Sequence, residues 1–259
     1  MSSEKQTDNS TLPTSIKNRV ISFVWQHILL LISLYLMTLG VVVCIRSNLG
    51  CGVISSLPLS LSIAGENGIA PALTLGNYNI IQNIIFVALQ IMILRRRFEI
   101  FQIFQLLIGW IFGLLIDLNM LLTADIACDG LLECAIMQFA GCTIMAVGIA
   151  FEVRCGSVTM PGEGLPVAIS QVTGKPFPKI KIYIDTLLVV LAVASCYIFF
   201  GAWQWNIIGP GTLFAMIYVG VIVKFVGGHT KWFDKLLKYQ PGFRRYIFGL
   251  AKYIYHRNN

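Results

Sequence analysis

Charged side chains within or at the ends of long apolar runs are the residues of this sequence that could do chemistry. Asp117 and Asp185 are acids with apolar flanks, and an ionised carboxylate facing hydrocarbon costs about 2.5–3.5 kcal/mol. Arg46, Arg154 and Lys224 stand at the ends of such runs. This placement indicates an ion or proton relay, or charge-compensated substrate contacts. The alternative is structural ion pairs and side chains that reach out of the apolar layer.

Two glycine turns that open short apolar stretches form a second candidate site. Free backbone N–H groups at the start of a short helix favour anions, so with two arginines nearby an anionic substrate or lipid headgroup is one interpretation. Glu163 argues against it, because its carboxylate could cap the helix and occupy the donors. The alternative is that glycine only permits a tight turn and close packing. The candidate residues are Gly50 and Gly52 before 53–64, and Gly162, Glu163 and Gly164 before 165–172.

Cysteine and histidine residues give no metal-binding pattern. The seven cysteines have no metal-ligand spacing, and the three histidines are scattered. Four cysteines fall in apolar runs as small hydrophobic residues, whereas Cys128 and Cys134 lie near a predicted outer loop and could pair in an oxidising periplasm. No Ser-His-Asp or Cys-His set, Walker loop or intramembrane protease motif is evident. We therefore expect no metal, no cofactor, no catalytic residues and no enzymatic activity.

The composition indicates which solvent surrounds these residues. The chain has 259 residues, of which 56% are hydrophobic and 12% are charged, and its mean hydropathy is +0.76. A soluble domain carries about a quarter charged residues, so this chain could not present a solvated surface. The composition therefore predicts an integral membrane protein.

Six long apolar runs are separated by polar loops. Each run is long enough to cross ~30 Å of hydrocarbon as a helix, and a helix is required because lipid offers backbone groups no partners. The two stretches opened by the glycine turns are too short to span, which is typical of re-entrant or interfacial half-helices. The six runs are residues 23–45, 78–94, 101–122, 131–153, 180–200 and 207–226.

The distribution of positive charge indicates the orientation of the chain. With the N-terminus inside, every Lys and Arg except Arg46 falls on the cytoplasmic side, and the outer loops carry acids. This split follows the positive-inside rule. The net charge of +7 is therefore interpreted as an orientation signal and an attraction to anionic lipid headgroups. We expect no nucleic-acid binding, because no basic–aromatic module is visible.

The chain repeats itself at an offset of 108 positions. Each copy reads as a long helix, an arginine, a glycine turn, a short helix and two long helices, so three crossings per copy make the second copy inverted. Such repeats with broken segments are an architecture of transporters and channels; chance similarity between apolar helices is the alternative. The coinciding pairs are Gly40 and Gly148, Arg46 and Arg154, Leu57-Pro58 and Leu165-Pro166, and Ser62 and Ser170.

Glycine motifs in both copies carry a resemblance to a known family. They are residues 40–52 (GVVVCIRSNLGCG), 75–79 (LGNYN) and 109–118 (GWIFGLLIDL), with the second copy over 148–170. Over roughly residues 25–226 the chain resembles the YczE/YyaS/YitT family of bacterial multi-pass membrane proteins. The resemblance implies a bacterial inner-membrane protein with five or six spans, and it does not supply a substrate.

Together these patterns predict an all-α polytopic membrane protein with six transmembrane helices and two half-helices in two inverted pseudo-symmetric repeats. Residues 1–22 are expected to be a disordered polar tail, and 23–226 the membrane domain, with repeats at about 23–122 and 131–226. Residues 227–259 are expected to form a basic amphipathic helix. That helix is predicted to lie on the cytoplasmic leaflet, or alternatively to bind a soluble partner, and both termini are predicted to be cytoplasmic.

The predicted function is passive or secondary transport of a small solute or ion. The expected partners are that solute and anionic headgroups on the cytoplasmic side. The rival hypothesis is a non-transporting scaffold or regulator that acts through its basic tail.

Overall fold

The protein folds into α-helices, and the computed structural model describes residues 16–98, 100–155 and 160–229. Within these ranges there are eight α-helices and no β-strand. Two short 3-10 turns, Arg95–Arg97 and Ile100–Ile103, join the third helix to the fourth. The helices are α1 (Ile16–Arg46), α2 (Val53–Glu66), α3 (Leu75–Leu94), α4 (Phe104–Leu122), α5 (Leu131–Cys155), α6 (Pro161–Thr173), α7 (Phe177–Phe200) and α8 (Pro210–His229).

Six of the eight helices in the described ranges are long and apolar enough to cross a membrane. The other two, α2 and α6, have 14 and 13 residues. At 1.5 Å per residue each is about 20 Å long, shorter than the ~30 Å hydrocarbon layer. The predicted all-α polytopic fold with six long spans and two half-helices is confirmed. The spans are Gln26–Arg46, Leu75–Arg97, Phe104–Leu122, Leu131–Val153, Phe177–Phe200 and Pro210–His229.

Four helices begin earlier than the sequence predicts: α3 and α7 each begin three residues earlier, and α1 and α6 begin seven and four residues earlier. α1 starts at Ile16, inside the predicted polar tail, because a helix can continue past the apolar layer into the polar residues before Phe23. α6 starts at Pro161 rather than Leu165, since proline at the first helical position has a suitable φ and lacks only an N–H that would be unpaired there. The second glycine turn is therefore the first turn of α6. Residues 1–15 and the predicted amphipathic segment from 230 onward lie outside the described residues.

Helices α1 and α5 pack against each other in opposite directions. Near the start of α1, the Gln26 side chain donates to the Cys155 carbonyl at the end of α5. Just past the end of α1, Ser47 donates to the Gln138 side chain, close to the start of α5. One repeat is therefore inverted relative to the other.

The crossing of α1 and α5 contains the same contact twice. A Cβ on Gly40 would overlap the Met145 backbone, and a Cβ on Gly148 would lie 2.6 Å from Met37 Cγ. Adding the offset of 108 to positions 37 and 40 gives 145 and 148. The two contacts are thus equivalent under a pseudo-twofold rotation, and glycine at both positions lets the helices approach closely.

The packing of the other helices follows the same relation. α3 packs on α6 as α7 packs on α2, and α1 packs on α4 as α5 packs on α8. One difference stands out in the described helices: α3 packs extensively on α4, whereas α7 and α8 have no comparable contact. The fold is a pair of inverted repeats, α1–α4 and α5–α8, with incomplete symmetry at the α7–α8 side.

The half-helices α2 and α6 begin next to each other inside the protein. Ile54 Cδ1 lies 3.1 Å from the place that a Cβ on Gly162 would take. These two residues are 108 positions apart, so their contact marks the pseudo-twofold axis. Each half-helix is a helix distinct from the long helices before and after it, so neither is fused into a continuous span.

Helix α3 passes both starting points and binds them with amide side chains. Gln82 Nε2 donates to the Ile54 carbonyl at 2.7 Å, and Gln90 Nε2 donates to the Pro161 carbonyl at 3.4 Å. Gln82 lies about 10 Å along α3 from its first residue. Gln90 lies about 6 Å along α3 before its last residue, so the starts of both half-helices are held within the length of this span.

Candidate functional site

A charged cluster lies between the first turn of α6 and the first turns of α7. Lys181 Nζ lies 3.2 Å from Glu163 Oε1 and 3.0 Å from Asp185 Oδ1. Lys181 and Asp185 share one face of α7 because they are four residues apart. The exposed fractions of the Lys181, Glu163 and Asp185 side chains are 21%, 28% and 18%. One ammonium group thus bridges two carboxylates on two helices.

Glu152 lies behind this cluster and caps α6 from the preceding helix. Its Oε1 accepts a hydrogen bond from the Met160 backbone N–H at 2.9 Å, at the N-cap position of α6. The carboxyl interacts electrostatically with Glu163. Glu152 is 3% exposed, and Oε2 has no hydrogen-bond partner among the described residues. A carboxyl oxygen suits this place because the backbone N–H groups at the start of a helix lack partners within the helix.

Two buried glutamines form the wall of the site on the other side of α6. Gln90 on α3 donates to Gln105 Oε1 on α4 at 3.0 Å. A Cβ on Gly164 would lie 2.8 Å from the Oε1 atoms of both glutamines. Glycine at 164 therefore lets α6 approach the amide pair. This is the close-packing role that the sequence analysis gave as the alternative to anion binding. Sequence reasoning missed both glutamines because they are uncharged. The signal that could have found them is an amide side chain within an apolar run.

The first glycine turn is held by backbone hydrogen bonds to the segment before α8. The Gly211 N–H donates to the Leu49 carbonyl at 2.8 Å, and the Cys51 N–H donates to the Ile207 carbonyl at 3.2 Å. Gly50 has φ +112° and packs closely on Gly209, a conformation that L side chains rarely adopt. Gly52, the N-cap residue of α2, lies against Met145. This turn acts as a joint between the repeats.

Arg46 binds the end of a neighbouring helix and is not part of the charged cluster. Its Nη2 donates to the Met120 carbonyl at 2.8 Å, and its Nε donates to Thr123 Oγ1 at 3.3 Å. Both acceptors belong to the last turn and C-cap of α4. Cations stabilise helix C-termini, where carbonyl groups lack partners. Arg46 therefore has a structural role.

Asp117 binds the start of α3 in its own repeat and does not face an interior between the repeats. Its Oδ2 accepts from Thr74 Oγ1 at 2.6 Å, and its Oδ1 accepts from the Gly76 N–H at 2.7 Å. Thr74 is the N-cap residue of α3. The acid thus completes a helix cap, which accounts for a carboxylate in this apolar run.

The two remaining candidates are Arg154 and Lys224. Arg154 stands in the last turn of α5, and its side chain is outside the described part of the structure. Lys224 is exposed on α8. Of the ten candidates from the sequence, the structure brings Glu163 and Asp185 into ionic contact through Lys181 and places Gly162 and Gly164 beside them.

A disulfide joins Cys128 in the α4–α5 loop to Cys134 in the first turn of α5, as one sequence alternative allowed. Cys128 Sγ lies 3.4 Å from the Ser47 carbonyl, so the loop packs on the end of α1. The five other cysteines are free and buried. Within the described residues, no group of three or more His, Cys, Asp or Glu side chains is placed to hold a metal ion.

The charged cluster belongs to one repeat only. Subtracting 108 from positions 152 and 163 gives Cys44 and Ser55, both uncharged residues of the first repeat. Two carboxylates, Glu163 and Asp185, bind one ammonium group, that of Lys181, so the cluster has an excess of negative charge. This arrangement favours a proton or a cation over an anion.

Comparison with known proteins agrees with the extent of the membrane domain. The model of a family of unknown function, DUF6198, matches residues 24–227. No curated protein and no solved structure matches the chain. The matched segment runs from α1 to the last turn of α8 and contains both repeats and the charged cluster. The chain belongs to the DUF6198 family.

Proposed function

We propose that this protein transports a small solute or ion across a bacterial inner membrane, with both termini in the cytoplasm. The glycine motifs also indicate a relationship to the YczE/YyaS/YitT family, and we include that relationship in the proposal. The inverted arrangement of α1–α4 and α5–α8 supports it, since transporters use such repeats to expose a central site to each side in turn. We infer no enzymatic activity.

The observation that carries the proposal is the pair of half-helices that begin at the pseudo-twofold axis. Ile54 and Gly162 mark the two breaks and lie in contact. Within a membrane, a chain that is not helical must be buried in protein or line a water-filled cavity. A purely structural protein gains nothing from two such breaks at one depth, whereas a transporter builds its binding site there.

The charge of the site supports a cationic or proton-linked solute over the anionic ligand that the glycine turns suggested. The Met160 N–H at the start of α6 already donates to the Glu152 carboxyl group, and Arg46 is bound to the end of α4. An incoming anion would meet the Glu163 and Asp185 carboxylates at Lys181. An incoming cation would find an excess of negative charge, which lowers the free energy of its binding.

Anionic lipid headgroups remain the proposed partners on the cytoplasmic side. Arg95–Arg97 form an exposed turn between α3 and α4. Each Lys or Arg near an anionic membrane surface contributes about 1 kcal/mol. This turn would hold the cytoplasmic end of the α3–α4 pair at the headgroup layer.

A stability screen followed by flux measurements tests the proposal. Purified protein is heated with each member of a panel of alkali cations, ammonium, amino acids, sugars and organic acids, and a solute that binds the native state raises the unfolding temperature. Each solute that stabilises is then followed into proteoliposomes. The variants are Glu163→Gln and Lys181→Met, and the matched control is Glu133→Gln, an exposed acid at the far end of α5.

Transport is supported if a solute stabilises the protein, enters the vesicles, and does neither with the two site variants while the control behaves as wild type. The proposal is contradicted if no solute on the panel stabilises the protein and none enters faster than into protein-free vesicles. That second result favours the scaffold or regulator that the basic tail suggested.

A further inference from the structure

We propose that Glu152 is a proton-binding site, protonated in the conformation seen here, at which the protein takes up and releases one proton through Glu163. The proton site itself does not depend on transport. Its use, to couple solute movement to proton movement, rests on the function proposed above.

The carboxyl of Glu152 has too few partners for a stable charge. It is 3% exposed, Oε1 accepts one backbone hydrogen bond, and Oε2 has no partner among the described residues. An ionised carboxylate out of water is stable only when it is paired and fully hydrogen-bonded. The neutral acid needs far less compensation, so burial favours the protonated form.

The described groups that interact with Glu152 are a carboxyl group and a thiol. Glu163 on α6 and Cys155 on α5 interact with it electrostatically, and Cys155 in turn contacts the uncharged side chains of Gln26 and Ser33 on α1. Lys181 is bound by Glu163 and Asp185. On α8, Lys224 is exposed.

Arg154, the nearest arginine in sequence, lies on the same helix. It stands two residues after Glu152, which places its Cα on roughly the opposite side of α5.

In this proposal the proton passes between Glu152 and Glu163, whose carboxyl groups interact electrostatically. The proton leaves Glu152 when its O–H bond breaks and a new O–H bond forms on a Glu163 carboxylate oxygen. Glu152 then carries the negative charge, Glu163 is neutral, and Lys181 keeps Asp185 as its ion-pair partner at 3.0 Å. Glu163, at 28% exposure, passes the proton to water and regains its pairing with Lys181.

The carboxyl groups that carry the proton occur in the second repeat alone, so the proton reaches Glu152 from one side of the protein. The equivalent positions in the first repeat are Cys44 and Ser55, which offer no carboxyl group. Protons therefore reach Glu152 from the α6–α7 side, which the distribution of Lys and Arg places in the cytoplasm.

Infrared spectroscopy of the full-length protein in lipid detects this proton directly. A protonated carboxyl group has a C=O stretching band that an ionised one lacks. We expect one such band in the wild-type protein at neutral pH, lost on titration to high pH, absent in Glu152→Gln and unchanged in the exposed control Glu133→Gln. Glu163→Gln should retain the band but lose it at a lower pH, because the nearest competing negative charge is gone.

The result that overturns the proposal is a wild-type spectrum with no protonated carboxyl band at neutral pH, or a band that persists unchanged in Glu152→Gln. If Glu152→Gln does not fold, the Glu163→Gln titration decides: an unmoved titration point also overturns the proposal. The experiment needs no transported solute. A Glu152 band together with failed solute uptake would leave the proton site standing and contradict only the transport function.

Discussion

Ile54 and Gly162 pack against each other at the point where the two half-helices begin, 3.1 Å apart as measured to a Cβ built on the glycine. They are equivalent residues of the two repeats, so the closest approach of α2 and α6 coincides with the symmetry axis. The contact places two breaks in regular helix at one depth, beside Glu152, Glu163 and the amides of α3. The fold thus concentrates its polar groups where a solute could pass between the repeats.

The close crossing of α1 and α5 predicts a large effect of a single methyl group. Gly40→Ala places its Cβ on the Met145 backbone, which cannot move aside, so we expect destabilisation at or above the ~1–3 kcal/mol typical of overpacking. Gly220→Ala on α8 is the matched control, because its Cβ meets nothing within 4 Å. Thermal unfolding in detergent measures both. Equal unfolding temperatures for Gly40→Ala and the control would show that the helices are not in contact there.

The orientation of the loops can be measured with single cysteines in the natural background, because all five free cysteines of the described chain are buried. Asn67→Cys after α2 and Lys175→Cys before α7 introduce thiols at exposed positions. We expect a membrane-impermeant thiol reagent to label the first in intact cells and the second only after permeabilisation. Labelling of both from one side would contradict the inverted repeats.

The disulfide between the α4–α5 loop and α5 gives an independent marker of the outer side. Disulfides persist in oxidising compartments and are reduced in the cytosol. Protein unfolded without reductant should show five free thiols, and seven after reduction, because Cys128 and Cys134 are joined. Mass measurement after alkylation counts them. Seven thiols before reduction would place this loop in a reducing environment and reverse the proposed orientation.

The bridging role of Lys181 predicts a specific rescue. Lys181→Met leaves Glu163 and Asp185 as unpaired carboxylates, so we expect a loss of about 1–3 kcal/mol, below the ~3–5 kcal/mol of a fully buried pair because the cluster is partly exposed. Adding Asp185→Asn to Lys181→Met should restore part of the loss. A double variant as unstable as the sum of the two single variants would mean that these groups do not interact.

The six spans were predictable because each is a run of apolar residues about the length of the hydrocarbon layer. The repeat was also predictable, since glycine and Leu-Pro recur at one offset. The start of α6 was not predictable from the pattern. The pattern predicts a turn at the glycines, whereas the helix begins before them, at Pro161.

The partners of the charged residues could not be predicted, because they depend on which helices meet. Arg46 and Asp117 stood out as candidate site residues, yet each caps a helix of the α3–α4 pair. Lys181 was counted as a loop cation for orientation, whereas it lies in α7 between two acids. Glu152 was visible only as the end of a span, and its burial follows from the way α6 folds back onto α5.

The most direct measurement follows solute and pH together in proteoliposomes that contain a pH-sensitive dye. Solutes of the panel are added outside to vesicles with wild-type protein, Glu152→Gln, or the Glu133→Gln control. We predict that at least one solute enters the wild-type vesicles and changes the internal pH. Glu133→Gln should do the same, and Glu152→Gln should lose the pH change. Wild-type vesicles that take up none of the solutes faster than protein-free vesicles, with no change in internal pH, would contradict the account.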